Sequence, residues 1–335
     1  FAICTICFGC SIGGQIMISL RNGEQNYNSI GTIVIQGAMF LQLFALLLFF
    51  ASQLLIDHVL VAFLKSPDVF AATEKYLSWR IYGFFFAAIN VMFRAFYVGI
   101  ARTKVLTYNA IAMAVANIIG DNLLIFGKFG FPEMGIEGAA IASVISEIVS
   151  VLFFVIYTFA TVDFKKYGFV KMKFKFSVIK SILNISSFTM VQYLISMSTW
   201  FIFFVAIERH SEDALKITNL IRSFYMVYYI PMNALATTAN TLVGNTIGAG
   251  NVKGVLPLIK RICLLNLSIV IVMLIATLIN PEFWISIIAP RDQMSLVGET
   301  ILPLTVLLFS LPISSLGIVA FNSISGTGNT KIALY

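Results

Sequence analysis

Apolar residues run along this chain in blocks of membrane length, and the polar positions gather between them. Nine blocks are legible, at roughly 1–20, 30–56, 76–101, 106–127, 137–162, 178–208, 214–243, 255–280 and 299–325, against the ~20 residues that one helical crossing of a bilayer needs. Several exceed that minimum, which predicts tilt or ends that project from the bilayer. The expected fold is all-α and polytopic, with nine helices. Phe1 opens directly inside a block, with no Met and no basic leader, and the final KIALY stops just after another. The pattern reads as a piece of a longer protein.

Composition narrows the class. Hydrophobic residues make up 59% of the chain and charged residues 11%, against about 45–50% and about 25% in soluble domains. Mean hydropathy is +0.94. These values exclude a secreted or cytosolic enzyme, a disordered regulator and a disulfide scaffold. The net charge of +7 does not indicate nucleic acid, because the bases are dispersed between apolar blocks. They are dispersed with a bias. Connections after 20, 101, 162, 243 and 325, with their flanks, hold thirteen bases from Arg21 to Lys331 against two acids, Glu24 and Asp163. The other connections hold six bases against eleven acids. The positive-inside rule puts the first set in the cytoplasm, so the first helix runs inward. The richest basic stretch, 163–180, is the longest cytoplasmic connection. It supplies a linker, 163–177, between an N-terminal lobe at 1–162 and a C-terminal lobe at 178–335.

The chain also matches itself at one offset. Gly23 aligns with Gly250, and Gly99, Thr103 and Lys104 align with Gly326, Thr330 and Lys331, all 227 residues apart. Both matched loops are cytoplasmic, so each repeat holds an even number of helices and the halves run parallel. Six helices separate the copies. Two six-helix halves imply a parent of about 450 residues, with one helix before Phe1 and two after Tyr335.

Four motifs now resemble one family. GGQIMISLRNGEQNYNSIG at 13–31, FRAFYVGIARTK at 93–104, FGFPEMGIEGAAIASVISEI at 129–148 and TTANTLVGNTIGAGN at 237–251 are similar to segments of MATE (multidrug and toxic compound extrusion) transporters of the MOP flippase superfamily. The third is the most specific. The resemblance implies two six-helix lobes around a central cleft. It also implies export of organic cations or amphiphiles by alternating access, in antiport with H⁺ or Na⁺.

Ionisable residues at mid-helix cost about 2.5–3.5 kcal/mol each on insertion scales and are functional candidates by default. Outside the loops and their flanks stand Asp121, Glu147, Arg80, Arg94 and Arg222. The three arginines read as snorkelling residues whose heads reach the interface. Asn117 and Asp121 share one helix face, as do Ser143 and Glu147. The short connection 128–136 makes their helices neighbours, with Asp121 and Ser143 each about 9 Å deep. The four side chains are expected to form two facing polar layers, either an ion site or a hydrogen-bonded cluster joining the helices. The family resemblance points to the ion site. Asn117 and Asp121 look like the Asn-x-x-x-Asp of the DinF-like branch, and Ser143 falls where that branch often carries Thr. A NorM-like branch places an acid early in the seventh helix, where this chain has Gln192.

Weaker signals complete the reading. Phe224-Tyr225-Met226-Val227-Tyr228-Tyr229 either lines a cleft for flat cations by cation–π contact or packs. Arg222, Gln192, Tyr225, Met226 and Tyr229 are the substrate-cleft candidates. Pro231 is expected to interrupt its helix at mid-membrane. Cys4, Cys7 and Cys10 form a packing stripe, and two isolated histidines, His58 and His210, make a poor metal site. The glycine-rich 244–250 is a helix-ending turn. No catalytic residue, metal or cofactor is expected, and the coupling ion is H⁺ or Na⁺. Expected partners are small cationic or amphiphilic substrates and the lipid bilayer, with no nucleic acid. The protein is expected to be a monomer in the cell's inner membrane. The alternatives are a lipid-linked oligosaccharide flippase, which needs several inward bases, and a membrane-embedded transferase, which needs Asp-rich or His motifs that are missing here.

Overall fold

The computed structural model describes residues 2–63, 67–170, 174–208 and 211–334. Of the residues read above, Phe1, Lys171, Lys173, His210 and Tyr335 lie outside these, as do the side chains of Cys4 and His58. The chain forms α1 (Ala2–Gly23), α2 (Ile30–Phe63), α3 (Pro67–Arg80), α4 (Gly83–Gly99), α5 (Lys104–Leu124) and α6 (Ile136–Thr161). It continues as α7 (Phe176–Glu208), α8 (Glu212–Gly248), α9 (Val255–Ile279), α10 (Pro281–Ile288), α11 (Val297–Gly326) and α12 (Thr330–Leu334).

These are twelve α-helices among the described residues, and the expectation of nine is corrected. The three additions are α3, α10 and α12, with 14, 8 and 5 residues. A rule that looks for ~20 apolar residues does not register helices this short. The block at 76–101 is also not one straight helix. It bends by 53° between α3 and α4. Pro231 does not interrupt its helix, since α8 runs unbroken through it, as α11 does through Pro303 and Pro312.

Among the described residues, five helices are long and apolar enough to cross a membrane, and the bent α3–α4 pair makes a sixth. The surface agrees with that medium. Leu54, Ile230, Ile279, Leu302 and Ile313 are each at least 70% exposed, while Ser186, Asn266, Thr300 and Ser315 are fully buried. Large apolar side chains face outward. Small polar ones sit between helices, where they permit close approach and find hydrogen bonds. Asn266 Nδ2 donates to the Ser315 carbonyl at 3.0 Å, and Gln42 Nε2 to the Phe85 carbonyl at 2.7 Å.

The chain divides into two compact units, Phe1–Met190 and Val191–Tyr335. In the first, α1 packs on α2 and α4, and α2 on α4. In the second, α8 packs on α9 and α11, and α9 on α11. The repeat is thus one of packing as well as order. Its turns repeat atom for atom. After α1, Asn26 N–H donates to the Arg21 carbonyl and Gln25 N–H to that of Asn22. After α8, Asn251 N–H donates to Thr246 and Gly250 N–H to Ile247. Both are Schellman caps, and the residue in the left-handed conformation is Gln25 in one (φ 59°) and Gly250 in the other (φ 75°). The counterpart of Gly250 is therefore Gln25 and not Gly23, an offset of 225 (250 − 25). At the second turn Ala101 (φ 58°) matches Gly328 (φ 86°), so the offset there is 227 (328 − 101). The second copy is two residues longer between its turns.

The helix crossings also repeat. A Cβ on Gly99 of α4 would lie 2.6 Å from Ile18 Cγ2 and 3.2 Å from the Gln15 carbonyl oxygen of α1. One on Gly326 of α11 would strike the backbone of Asn240 in α8. Gly99→Val should cost about 1–3 kcal/mol through overpacking, whereas Gly298→Ala, which meets nothing within 4 Å, should not destabilise. Ala101→Gly, two residues beyond Gly99, should instead stabilise by up to about 1 kcal/mol, because it relieves left-handed strain. Thermal melts of the purified variants in detergent check all three signs.

Candidate functional site

The expected polar layers lie on α5 and α6, and small residues bring these helices together. A Cβ on Gly120 would lie 2.9 Å from that of Ala142, and one on Gly138 would lie 2.5 Å from the Leu124 carbonyl oxygen. Asn117, Asp121 and Ser143 are half-buried on this helix pair. None of the three side chains forms a hydrogen bond or ion pair among the described residues. Glu147 is 6% exposed and is engaged elsewhere.

Its partner is Arg80, at the end of α3. Arg80 Nη2–H donates to Glu147 Oε1 at 2.6 Å and Nη1–H to Oε2 at 3.0 Å, a bidentate fork. The α3–α4 bend falls immediately after Arg80. Gly83 opens α4 with no side chain, and a Cβ there would collide with both Arg80 Nη1 and Glu147 Oε2. The polar chain continues across α4 and α5. Asn90 Nδ2 donates to the Glu147 carbonyl at 3.2 Å, and Ser150 Oγ donates to Asn90 Oδ1 at 2.9 Å. Asn109 Nδ2 donates to Ser150 Oγ at 2.9 Å, which leaves the buried Asn109 Oδ1 without a partner among the described residues. Nearby, Trp79 Nε1–H donates to Glu137 Oε1 at 2.6 Å. Reading Arg80 as a snorkelling residue missed this pairing. The available signal was one base and one acid, each too costly to leave alone in a span.

In the second unit, the cleft candidates meet aromatic residues of α7. Trp200 stacks on Phe204, with ring centroids 5.9 Å apart, and lies 6.0 Å from Tyr225. Tyr225 stacks on Tyr229 at 5.7 Å, and the Arg222 guanidinium sits 5.5 Å from the centre of the Phe204 ring. Spacing of four residues, at 200 and 204 and at 225 and 229, lines each set along one helix face. Met226 is 48% exposed, and Gln192 is half-buried with no side-chain hydrogen bond among the described residues. Trp200 and Phe204 were not singled out in sequence. Cys7 and Cys10 are buried in the first unit's core, where the Cys10 carbonyl accepts a hydrogen bond from Ser186 Oγ at 3.0 Å.

The family profile MatE matches residues 1–123 and 188–335. The chain belongs to the MatE family. That match leaves out 124–187, which includes the motif at 129–148. A probable multidrug resistance protein NorM of Thermotoga maritima spans the gap. It is 25% identical over 332 residues, covering 96% of this chain and 68% of that protein. A probable multidrug resistance protein NorM of Agrobacterium fabrum is 34% identical over 125 residues, covering 37% of this chain and 26% of the relative. Among solved structures, the outward-facing conformation of a multidrug resistance MATE family transporter of the MOP superfamily matches with a TM-score of 0.89 at 16% identity, over 99% of this chain and 73% of that one. A MOP superfamily transporter from Pyrococcus furiosus, described as having a binding pocket of reversed polarity, matches with a TM-score of 0.86 at 17% identity, over 99% and 74%. A MatE chain is a transporter and not an enzyme.

Breaking a buried ion pair from one side strands the other charge, at about 3–5 kcal/mol, whereas replacing both partners by apolar residues is often nearly neutral. Arg80→Met and Glu147→Met should therefore each lower the detergent melting temperature sharply, and the double variant should recover most of the loss. Additive losses in that cycle would show that the fork contributes no coupling.

Proposed function

We propose that this MatE protein is a secondary-active exporter of small cationic or amphiphilic compounds in the bacterial inner membrane, working by alternating access and coupled to H⁺ or Na⁺. Family membership and the similarity to probable multidrug resistance proteins support the class. Asp121 is the coupling carboxylate, with Asn117 and Ser143 beside it. The observation that carries this assignment is a contrast. Both α5 and α6 bear an acid inside the membrane, but Glu147 is neutralised by Arg80, while Asp121 has no charged or hydrogen-bonded partner among the described residues. A carboxylate without a fixed counter-charge is free to take up a proton or Na⁺ and to release it. Glu147 then supports the site structurally. The Asn-x-x-x-Asp pattern favours a DinF-like coupling scheme, and Gln192, which cannot ionise, favours it further.

Coupling follows from differential affinity, since a ligand shifts a conformational equilibrium only if it binds the two states unequally. The cation at Asp121 and the exported compound must favour opposite states. The rings of Trp200, Tyr225 and Tyr229 offer faces for a flat cation.

Asp121→Asn holds the site in its neutral form. In the complete protein it should abolish ethidium efflux driven by an imposed gradient while leaving membrane insertion intact. Gln192→Ala should keep most of the wild-type rate. Imposing a pH gradient and a Na⁺ gradient separately identifies the coupling ion. Wild-type efflux from Asp121→Asn under both gradients would overturn the assignment.

A further inference from the structure

A polar cavity of about 570 Å³ opens where α1 ends, α2 begins and α7 begins. That volume lies within the roughly 300–1,000 Å³ of small-molecule sites. The cavity has no place in the export mechanism above. Its lining divides by chemistry. Arg21 and Lys175 supply basic groups, Thr32, Ser177 and Ser181 supply hydroxyls, and no Asp or Glu lines it among the described residues. Met17, Ile33 and Val178 supply apolar surface on the helix sides.

Three observations bear on its ligand. First, most of the donors are uncommitted, the exceptions being Ser29, which donates to the Asn26 carbonyl, and one nitrogen of Arg21. Lys175 and the three hydroxyls make no side-chain hydrogen bond or ion pair among the described residues. Arg21 uses Nη1 toward Glu24 at 2.6 Å, which leaves most of its five N–H donors. Second, the cavity takes in the first turn of α7, a helix of 33 residues, through Ser177 and Val178. The Val178 N–H is spent on the Lys175 carbonyl at 2.9 Å, but the positive end of the helix dipole still favours an anion there. Third, the wall opposite is held in place. The connection after α6 docks on the α1–α2 turn through Gly31 N–H, which donates to the Tyr167 carbonyl at 2.8 Å. Gly168, at φ 71°, lies against Asn28 with no room for a side chain. The ammonium of Lys166 covers the Tyr27 ring at 4.4 Å.

The Lys175 ammonium, an Arg21 guanidinium paired with Glu24 through one nitrogen only, three unspent hydroxyls and the positive end of a helix select an anion with several acceptor oxygens. Apolar residues beside them select one that carries a hydrocarbon. The connections that build the cavity belong to the set that the positive-inside rule puts in the cytoplasm, where anionic headgroups collect on the leaflet. We propose that this cavity binds a phosphate group, supplied by the headgroup of an anionic phospholipid in the cytoplasmic leaflet or by a free phosphate. The inference rests on the membrane reading of the chain and not on the identity of the exported compound.

Native mass spectrometry of the complete, delipidated protein tests it, with dioleoylphosphatidylglycerol, dioleoylphosphatidylcholine and inorganic phosphate titrated separately at constant ionic strength. Saturable binding of phosphatidylglycerol should weaken about tenfold in the double variant Arg21→Gln/Lys175→Gln and stay unchanged in Lys260→Gln, a base on α9 outside the cavity. Saturable binding of inorganic phosphate with the same variant dependence would assign a free anion as the source and support the site. Three results would overturn it: no saturable binding of any probe, equal binding of the two lipids by wild type and double variant, or an equal loss in Lys260→Gln, which indicates diffuse surface charge. Thermal melts of the variants without added lipid establish that any loss is not unfolding.

Discussion

The first unit depends on a charge that the membrane does not tolerate alone. Glu147 sits buried at the middle of α6, and an isolated ionised group there costs about 2.5–3.5 kcal/mol even on the most lenient insertion scale. The Arg80 fork neutralises it, but a guanidinium reaches a carboxylate bidentately only within a narrow geometry. The third span meets that geometry by breaking. α3 ends at Arg80, α4 starts at Gly83 after a 53° bend, and the missing side chain at Gly83 makes room for both charged groups. With the pair in place, Asn90 on α4 reaches the Glu147 backbone, and Ser150 and Asn109 extend the contact to α5. The polar chain that starts at the ion pair thus reaches α5 through Asn109, beside the close glycine contacts that seat α5 on α6.

The two units then show how little sequence a repeated architecture needs. The cap after α1 and the cap after α8 share hydrogen bonds and backbone angles while differing in the residue that adopts φ > 0. Gly250 adopts it without strain. Gln25 and Ala101 do so against a steric penalty of about 1–2 kcal/mol, which the surrounding helix crossings hold in place. The tight glycines, Gly99 and Gly326, are retained at both crossings because there a Cβ would meet neighbouring atoms at distances no rotamer relieves.

This contrast explains what the chain disclosed and what it withheld. The apolar blocks gave helix boundaries close to those observed, because burying a run of some twenty apolar residues in lipid leaves few alternatives. Short helices carry no such signature, so α3, α10 and α12 were invisible. The pairing of Gly23 with Gly250 failed because identity of residue type misled where identity of backbone angle decides. The α5–α6 neighbourhood was readable from a short connection. The Arg80–Glu147 fork was not, because its partners lie 67 residues apart and only the bend sets their register. Pro231 was read as a break because proline removes a backbone donor. The helix continues through it because a single lost bond inside a long apolar helix is cheaper than exposing more backbone to lipid.

Neutralisation of one acid gives the other its character. Had Arg80 been absent, Glu147 and Asp121 would compete as ion acceptors on adjacent helices, and uptake at either would be coupled to uptake at the other. A fixed guanidinium removes Glu147 from that competition. It leaves Asp121 as a carboxylate of this helix pair whose side chain has neither an ion pair nor a hydrogen bond among the described residues. The coupling proposed for Asp121 needs this separation. A group that is permanently paired stabilises one arrangement, whereas a group that gains and loses a cation makes the energies of two arrangements depend on the gradient. On the proposed reading, two carboxylates of the same chemistry thereby divide into scaffold and switch, and the presence or absence of a fixed guanidinium makes the division.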